Sequence, residues 1–181
     1  MTWRWLRAGW TGVKLPSMGE LRVGIGFDAH QLASGVPLLL GGVAIEHPRG
    51  LAGHSDGDVI VHALIDALLG AAGLGDIGLL FPSEDERWRG ADSLDLLARA
   101  YSEVQGAGWV LVNADCVLVG EEPRIALRRE EMQRRLAEAI GVEHGRVTVR
   151  ATSTDGIGFT GRGEGLAAQA IALLERTSLP E

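Results

Sequence analysis

Three acid and imidazole side chains stand at spacings that suit a divalent cation. Asp28 and His30 are two apart in an apolar, glycine-punctuated stretch, so an extended backbone puts both on one side. A third donor from elsewhere would complete the two-nitrogen, one-oxygen set that suits tetrahedral zinc with an open position for substrate. His62 is the natural third. Asp58 precedes it by four residues and Asp66 follows by four, so on a helix the three share one edge that the apolar stripe does not explain. Either carboxylate could orient the imidazole and set which ring nitrogen faces a metal. An ordinary solvated polar edge accounts for the same spacing more plainly.

The run His54-Ser55-Asp56-Gly57-Asp58 opens that same helix, where free N–H groups and the positive dipole end can receive phosphate. Ser55 is then a phosphate ligand or an N-cap, and His54 a donor to a reacting phosphate or a solvated loop residue. A further run, Thr152-Ser153-Thr154-Asp155, leads into a segment whose Gly156, Gly158 and Gly161 spell G-x-G-x-x-G. A dinucleotide fold is not expected, because the segment after these glycines reads as a final helix, with no strand beyond it to close the βαβ unit or bring an acid to a ribose. Hydroxyls, backbone N–H groups and Arg162 still make a plausible phosphate cradle, with Asp155 able to hold a hard cation such as magnesium.

The elements that must position these groups follow from periodicity. Leu21 to Gly26 and Val36 to Ile45 read as strands joined through a loop from Asp28 to Gly35. A helix capped by Ser55 or Asp56 carries Val59, Ile60, Ala63, Leu64, Ala67 and Leu68 and ends at Gly70 to Gly73. Gly73 to Gly90 is too long for a simple link and is a candidate lid. Further along, helices are expected at Ser93 to Gln105, Pro123 to Ile140 and Glu164 to Arg176, and strands at Trp109 to Val119 and Arg146 to Thr152. The expected fold is α/β in the α+β sense: one domain, a four-stranded mixed sheet with helices on one face. The bare face needs a cover, which self-association would supply.

Composition narrows the rest. At 181 residues and 46% hydrophobic, the chain suits one domain with a real core, from residue 21 to 181. A net charge of −7 opposes nucleic-acid binding, and means that any phosphate site needs its own cations or aimed N–H groups. No apolar run suits a membrane span, and the single Cys116 excludes an internal disulfide, so a reducing cytoplasm is the expected setting. Residues 1–20, with Trp3, Trp5 and Trp10, read as an extension, either a docking arm or a stretch upstream of a start at Met18.

Taken in order, Gly26-Phe27-Asp28-Ala29-His30, His54-Ser55-Asp56-Gly57-Asp58, His62-Ala63-Leu64, Leu74-Gly75-Asp76-Ile77-Gly78, Phe81-Pro82 and Phe159-Thr160-Gly161-Arg162-Gly163-Glu164-Gly165 resemble the 2-C-methyl-D-erythritol 2,4-cyclodiphosphate synthase family. The likeness runs from about Leu21 to Glu175. It implies an enzyme of non-mevalonate isoprenoid synthesis that closes 4-diphosphocytidyl-2-C-methyl-D-erythritol 2-phosphate into the cyclic diphosphate and releases CMP.

The resemblance also implies roles. Zinc would lie between Asp28, His30 and His62, with magnesium or manganese at Asp155. His54 and Ser153 match positions that stabilise the transition state, and Ser55 one that binds phosphate. Asp76, with Ile77 and Gly78, and the loop from Phe81 to Asp85 match substrate-diol and lid positions. Gly120, Pro123 and Arg124, with Ala151, Thr152 and Thr154, match the cytidine and phosphate pocket. A homotrimer with interfacial sites is implied, with Phe159 and Arg162 facing a central cavity that takes isoprenoid diphosphates. Asp155 stands for the family's common Glu, shortening the arm by ~1.5 Å, while Ser153 stands for Thr and Arg124 for Lys. The alternative is a non-catalytic trimeric binder of isoprenoid diphosphates whose metal is structural.

Overall fold

The computed structural model describes residues 19–177, so the tryptophan-rich start and the reading of Met18 as first residue lie outside the described residues. In chain order the elements are β1 (Leu21–Ser34), β2 (Leu38–Leu40), β3 (Val43–Ile45), β4 (Arg49–Leu51), α1 (Val59–Ala72), α2 (Ile77–Leu80), α3 (Ser93–Gly106), β5 (Trp109–Val119), α4 (Arg129–Ala139), β6 (Val147–Thr152), α5 (Gly158–Gly161) and β7 (Gly165–Arg176). They form one α+β domain. The main sheet has five strands, not the expected four, in the order β4-β1-β7-β5-β6, and β2 pairs with β3 as a separate hairpin. It is mixed: β5 and β6 run parallel and the other neighbours antiparallel.

The largest departure from the sequence reading is β7. Its alanines favour a helix by propensity, and a helix from Glu164 to Arg176 was expected. Yet Ala168, Ala170, Ala172 and Leu174 are buried in alternation with exposed Gln169 and Ile171, a period of two. As the central strand, between β1 and β5 and beneath α1, it needs small side chains on the helix-facing side. Tertiary packing overrides propensity.

The segment from Val36 to Ile45, expected as one strand, is instead the β2–β3 hairpin outside the main sheet, and two other boundaries move. β1 does not end before Asp28 but continues to Ser34, so Asp28 and His30 are strand residues rather than part of a loop. Helix α4 starts at Arg129, six residues after Pro123, and the intervening chain is an irregular turn with Ile125 buried and Leu127 exposed. The connection from Gly73 to Gly90 is not structureless, since it contains α2 and a 3₁₀ turn at Glu86–Trp88.

Helix α1 is buried almost all round and forms the centre of the core; each buried leucine or isoleucine contributes roughly 1.5–3 kcal/mol. Gly73, in the left-handed conformation, closes the helix. It lies unusually close to β1, because a Cβ on Gly24 would collide with the Ala67 carbonyl and one on Gly26 with the Ala63 carbonyl. These contacts run β1 and α1 in opposite directions. Two residues beyond Gly26 the strand reaches Asp28, and one residue before Ala63 the helix reaches His62. The same close packing that builds the core therefore brings the candidate ligands together.

Candidate metal and phosphate site

Asp28 and His30 share the helix-facing side of β1 with Gly24 and Gly26. The Asp28 Oδ2 lies 3.0 Å from His30 Nε2 and 2.9 Å from His62 Nδ1, and the two ring nitrogens are 3.3 Å apart. A tetrahedral zinc with donors at about 2.0–2.1 Å would hold them about 3.3 Å apart, so the three atoms already stand near the edges of such a tetrahedron. One carboxylate oxygen and two imidazole nitrogens also form a suitable donor set, and the residues fit the ion.

Burial alone would raise the Asp28 carboxyl, but hydrogen bonds and charge from His30 and His62 outweigh it and hold the group well below the usual carboxylate range. The hydrogen bond to Asp28 raises His30 against the opposing effect of burial, aided by the Ala52 backbone carbonyl. This is a carboxylate kept ionised and ready to ligate.

The cluster lines a cavity of about 390 Å³ whose walls also include His54, Ser55, Ile77, Gly78 and Phe81. Ser83 and Glu84, from the expected lid loop, complete the wall with Trp88 and Leu96, neither of which was singled out from sequence. Phe81 and Trp88 pack edge to face at 5.0 Å, and Gly90 N–H donates to the His54 carbonyl at 2.9 Å, so the candidate lid is a packed flap over the cavity. Among the described residues, the buried His54 Nε2 and Trp88 Nε1 have no hydrogen-bond partner. Both residues line the cavity, and a buried polar atom without a partner calls for one that the described residues do not supply.

Neither expected orienting carboxylate touches His62. The fully buried Asp58 is the cap of α1: it accepts from Ile60 and Val61 N–H, and also from Gly41 and Gly42 N–H, joining the β2–β3 turn to the helix start. Burial raises its pKa, with the backbone donors opposing. Ser55 and Asp56, the expected caps, are free for other roles. Asp66 accepts from Ile77 N–H at 2.8 Å and ties α2 to α1; burial raises it, and the charges of Asp76 and Asp28 add to the rise. What meets the far nitrogen of His62 is hydroxyl: Nε2 lies 2.9 Å from Ser55 Oγ and 3.0 Å from Ser93 Oγ. Ser93 was missed because Ala-Asp-Ser before an apolar stripe reads as nothing more than a helix start.

Other expected residues lie elsewhere. Asp76 caps α2 through Leu79 N–H, and Asp85 pairs with Arg87 on the surface. Gly120, Pro123, Arg124, Ser153, Thr154 and Asp155 follow the ends of β5 and β6, Ala151 and Thr152 close β6, and none of them lines the first cavity. The register runs Asp28 to Ala168 to Leu118 to Ala151, three strand spacings across one end of the sheet, or roughly 14 Å. Here Glu121 Oε1 accepts from Thr154 N–H at 3.1 Å and Gly156 N–H at 3.3 Å, and Ser153 Oγ donates to Asp155 Oδ1 at 2.9 Å. Asp155 itself is left-handed, at φ 51°, a conformation that aspartate tolerates better than most residues. Phe159 borders a separate cavity with His30 and Glu164, while Arg162 borders another with Arg49.

The geometry has counterparts in known proteins. A model of the YgbB family matches residues 21–175. A 2-C-methyl-D-erythritol 2,4-cyclodiphosphate synthase of Rubrobacter xylanophilus is 57% identical over 162 residues, covering 88% of this chain and 98% of that protein. The enzyme of the same name from Moorella thermoacetica is 54% identical over 154 residues, 85% of this chain and 94% of that one. A solved 2C-methyl-D-erythritol-2,4-cyclodiphosphate synthase in its CDP-bound form superposes with a TM-score of 0.78 at 39% identity, over 85% of this chain and 100% of that one. The bifunctional IspDF of Campylobacter jejuni gives a TM-score of 0.85 at 41% identity; this chain spans 88% of itself in the match but 43% of that protein. This chain belongs to the YgbB family, the family of 2-C-methyl-D-erythritol 2,4-cyclodiphosphate synthases, and is an enzyme of that lyase class acting on phosphorus–oxygen bonds.

Proposed function

We propose that the chain converts 4-diphosphocytidyl-2-C-methyl-D-erythritol 2-phosphate to 2-C-methyl-D-erythritol 2,4-cyclodiphosphate and CMP, with the cavity at Asp28, His30 and His62 as the seat of the reaction. An oxygen of the 2-phosphate forms a bond to the β-phosphorus, and the bond from that phosphorus to the oxygen shared with the α-phosphorus breaks, so CMP leaves with the bridging oxygen. Both reacting groups belong to one molecule, and the protein's task is to fold the substrate and offset its charge. The observation that carries this reading is the convergence of three metal donors beside an unpartnered His54 Nε2 in one cavity.

Zinc held by Asp28, His30 and His62 would act as a Lewis acid on the β-phosphate oxygens. His54 donates from Nε2 to the phosphate in flight, and Ser55 offers its hydroxyl beside it. Ile77, Gly78 and Phe81 enclose the erythritol carbon chain, with Asp76 at the start of α2 beside the diol and Asp85 in the flap. Ser153 and Thr154 bind phosphate, Asp155 would hold magnesium or manganese, and Gly120, Pro123, Arg124, Ala151 and Thr152 receive the cytidine.

This second set lies in a different part of the chain from the metal cavity, and a homotrimer that sets it against a neighbour's triad would join the halves. The open face of the sheet agrees with that assembly: Val23, Ile25 and Phe27 alternate along β1 at 69, 62 and 60% exposure, an apolar stripe of the kind that subunit contacts cover. Phe159 and Arg162 would then border the central space, where an isoprenoid diphosphate could lodge. No helix among the described residues is long and apolar enough to cross a membrane, and the buried free Cys116 suits a reducing cytoplasm. The enzyme names of the relatives weigh against a non-catalytic binder. The test is CMP release from the named substrate, with bound zinc measured on the same sample; absence of CMP from zinc-replete protein with magnesium present sinks the reading.

A further inference from the structure

We infer that Ser93 and Asp56 are positioning residues that hold a proton on His62 Nε2 and so present His62 Nδ1 as a bare donor to the metal. The inference rests on the metal reading above and deepens it. The Asp56 carboxylate takes both polar hydrogens of Ser93: Oδ2 accepts the Ser93 N–H at 2.9 Å, and Oδ1 forms a close hydrogen bond with the Ser93 hydroxyl. An ionised carboxylate only accepts, so the single hydroxyl proton of Ser93 points to Asp56. The Ser93 oxygen then offers a lone pair to His62 Nε2, 3.0 Å away, and that nitrogen must be the one that carries hydrogen.

The direction matters because the other side of the ring pulls the opposite way. Asp28 Oδ2, 2.9 Å from Nδ1, is an acceptor that in a metal-free ring would draw the proton onto Nδ1. A proton there blocks the ligand atom. The Asp56–Ser93 pair is the counterweight, and burial sharpens it: Ser93 is 1% exposed and His62 7%, so water does not substitute for a lost partner. The Ser55 hydroxyl also reaches Nε2, but it lies on the cavity wall, and among the described residues no carboxylate fixes its proton. Ser93 is also the first residue of α3, soon after the flap, so its bonds tie the flap's far end to Asp56 and to the metal ligand His62.

The test uses the full chain, with zinc affinity measured by chelator competition and the His62 ring followed by ¹H–¹⁵N NMR in the zinc-loaded protein. Ser93→Ala removes the acceptor. Asp56→Asn, nearly isosteric, sets an amide N–H against Ser93 and frees the hydroxyl to donate to Nε2, so it tests the relay without opening a cavity. Both variants are expected to weaken zinc binding by roughly 10–100-fold, and to move the Nε2–H resonance upfield with faster exchange. Wild-type affinity within twofold and an unchanged Nε2–H signal in both folded variants would overturn the inference while leaving the metal site standing. A wild-type protein that takes up no zinc overturns the metal reading and this inference together.

Discussion

The two halves of the proposed site are built in opposite ways. Around Asp28, His30 and His62 the donors hold one another and the serines behind His62 hold its ring, and the three side chains are exposed by no more than 23%. Strand and helix are pressed together there by glycine-to-backbone contacts that leave no room for adjustment. Around Ser153 and Asp155 the side chains are exposed, and the loop is held by the Glu121 carboxylate on two backbone N–H groups and by its own turn bonds through Thr154. The first region is preorganised within one chain, which is what electrostatic stabilisation of phosphoryl transfer requires. The second is shaped but open, which fits its proposed completion by a neighbouring subunit.

Removing a ligand breaks the comparison most severely. His62→Ala should lose bound zinc and slow CMP release by several kcal/mol of barrier, roughly a thousandfold, measured by single-turnover CMP formation and metal analysis. Gly26→Ala touches no ligand, yet its Cβ would meet the Ala63 carbonyl and drive α1 off β1. A destabilisation of about 3 kcal/mol, with weakened zinc uptake, should appear in denaturant unfolding and chelator competition. Wild-type zinc affinity in that variant would show that close packing does not set the ligand geometry.

The pH dependence follows from Asp28 and His30. In metal-free protein the raised His30 is stabilising while protonated, below its unfolded pKa, and that contribution disappears as pH rises through the raised folded value. The lowered Asp28 is stabilising above its unfolded value and stops being so as pH falls through the lowered one. Zinc must displace the His30 proton, so affinity should fall about tenfold per pH unit below the raised His30 pKa and level off above it, with proton release on binding as the calorimetric check. The smallest effect belongs to the open half. Glu121→Ala should leave zinc content and thermal midpoint within error, while raising the magnesium concentration for half-maximal activity about tenfold, the scale of one charge-assisted hydrogen-bond anchor.

Much of the first half was legible in the chain. Asp28 and His30 at a spacing of two, and His62 on a helix with an apolar stripe, are local patterns that survive folding, and the structure brings them together. The orienting partner of His62 was not legible. Asp58 and Asp66 stand at helical spacing from it, but spacing says only that they share an edge. Asp58 instead finds four backbone N–H groups, two of them from the β2–β3 turn, a satisfaction that depends on contacts sixteen and seventeen residues away. Ser93 reaches His62 from thirty-one residues along the chain, and no local pattern announces it.

By itself the sequence determined the candidate ligand types, the helix that carries His62, the family, and the need for local cations in a chain of net charge −7. Tertiary structure decided which acid serves which group, that the alanine-rich segment from Gly165 to Arg176 is the central strand rather than a helix, and that Asp28 and Ala151 stand three strands apart. The physical reason is the same in each case. Side-chain chemistry and short-range periodicity are properties of neighbouring residues, whereas a buried polar atom's partner and a strand's place in a sheet are set by whatever distant surface must be satisfied when water is excluded.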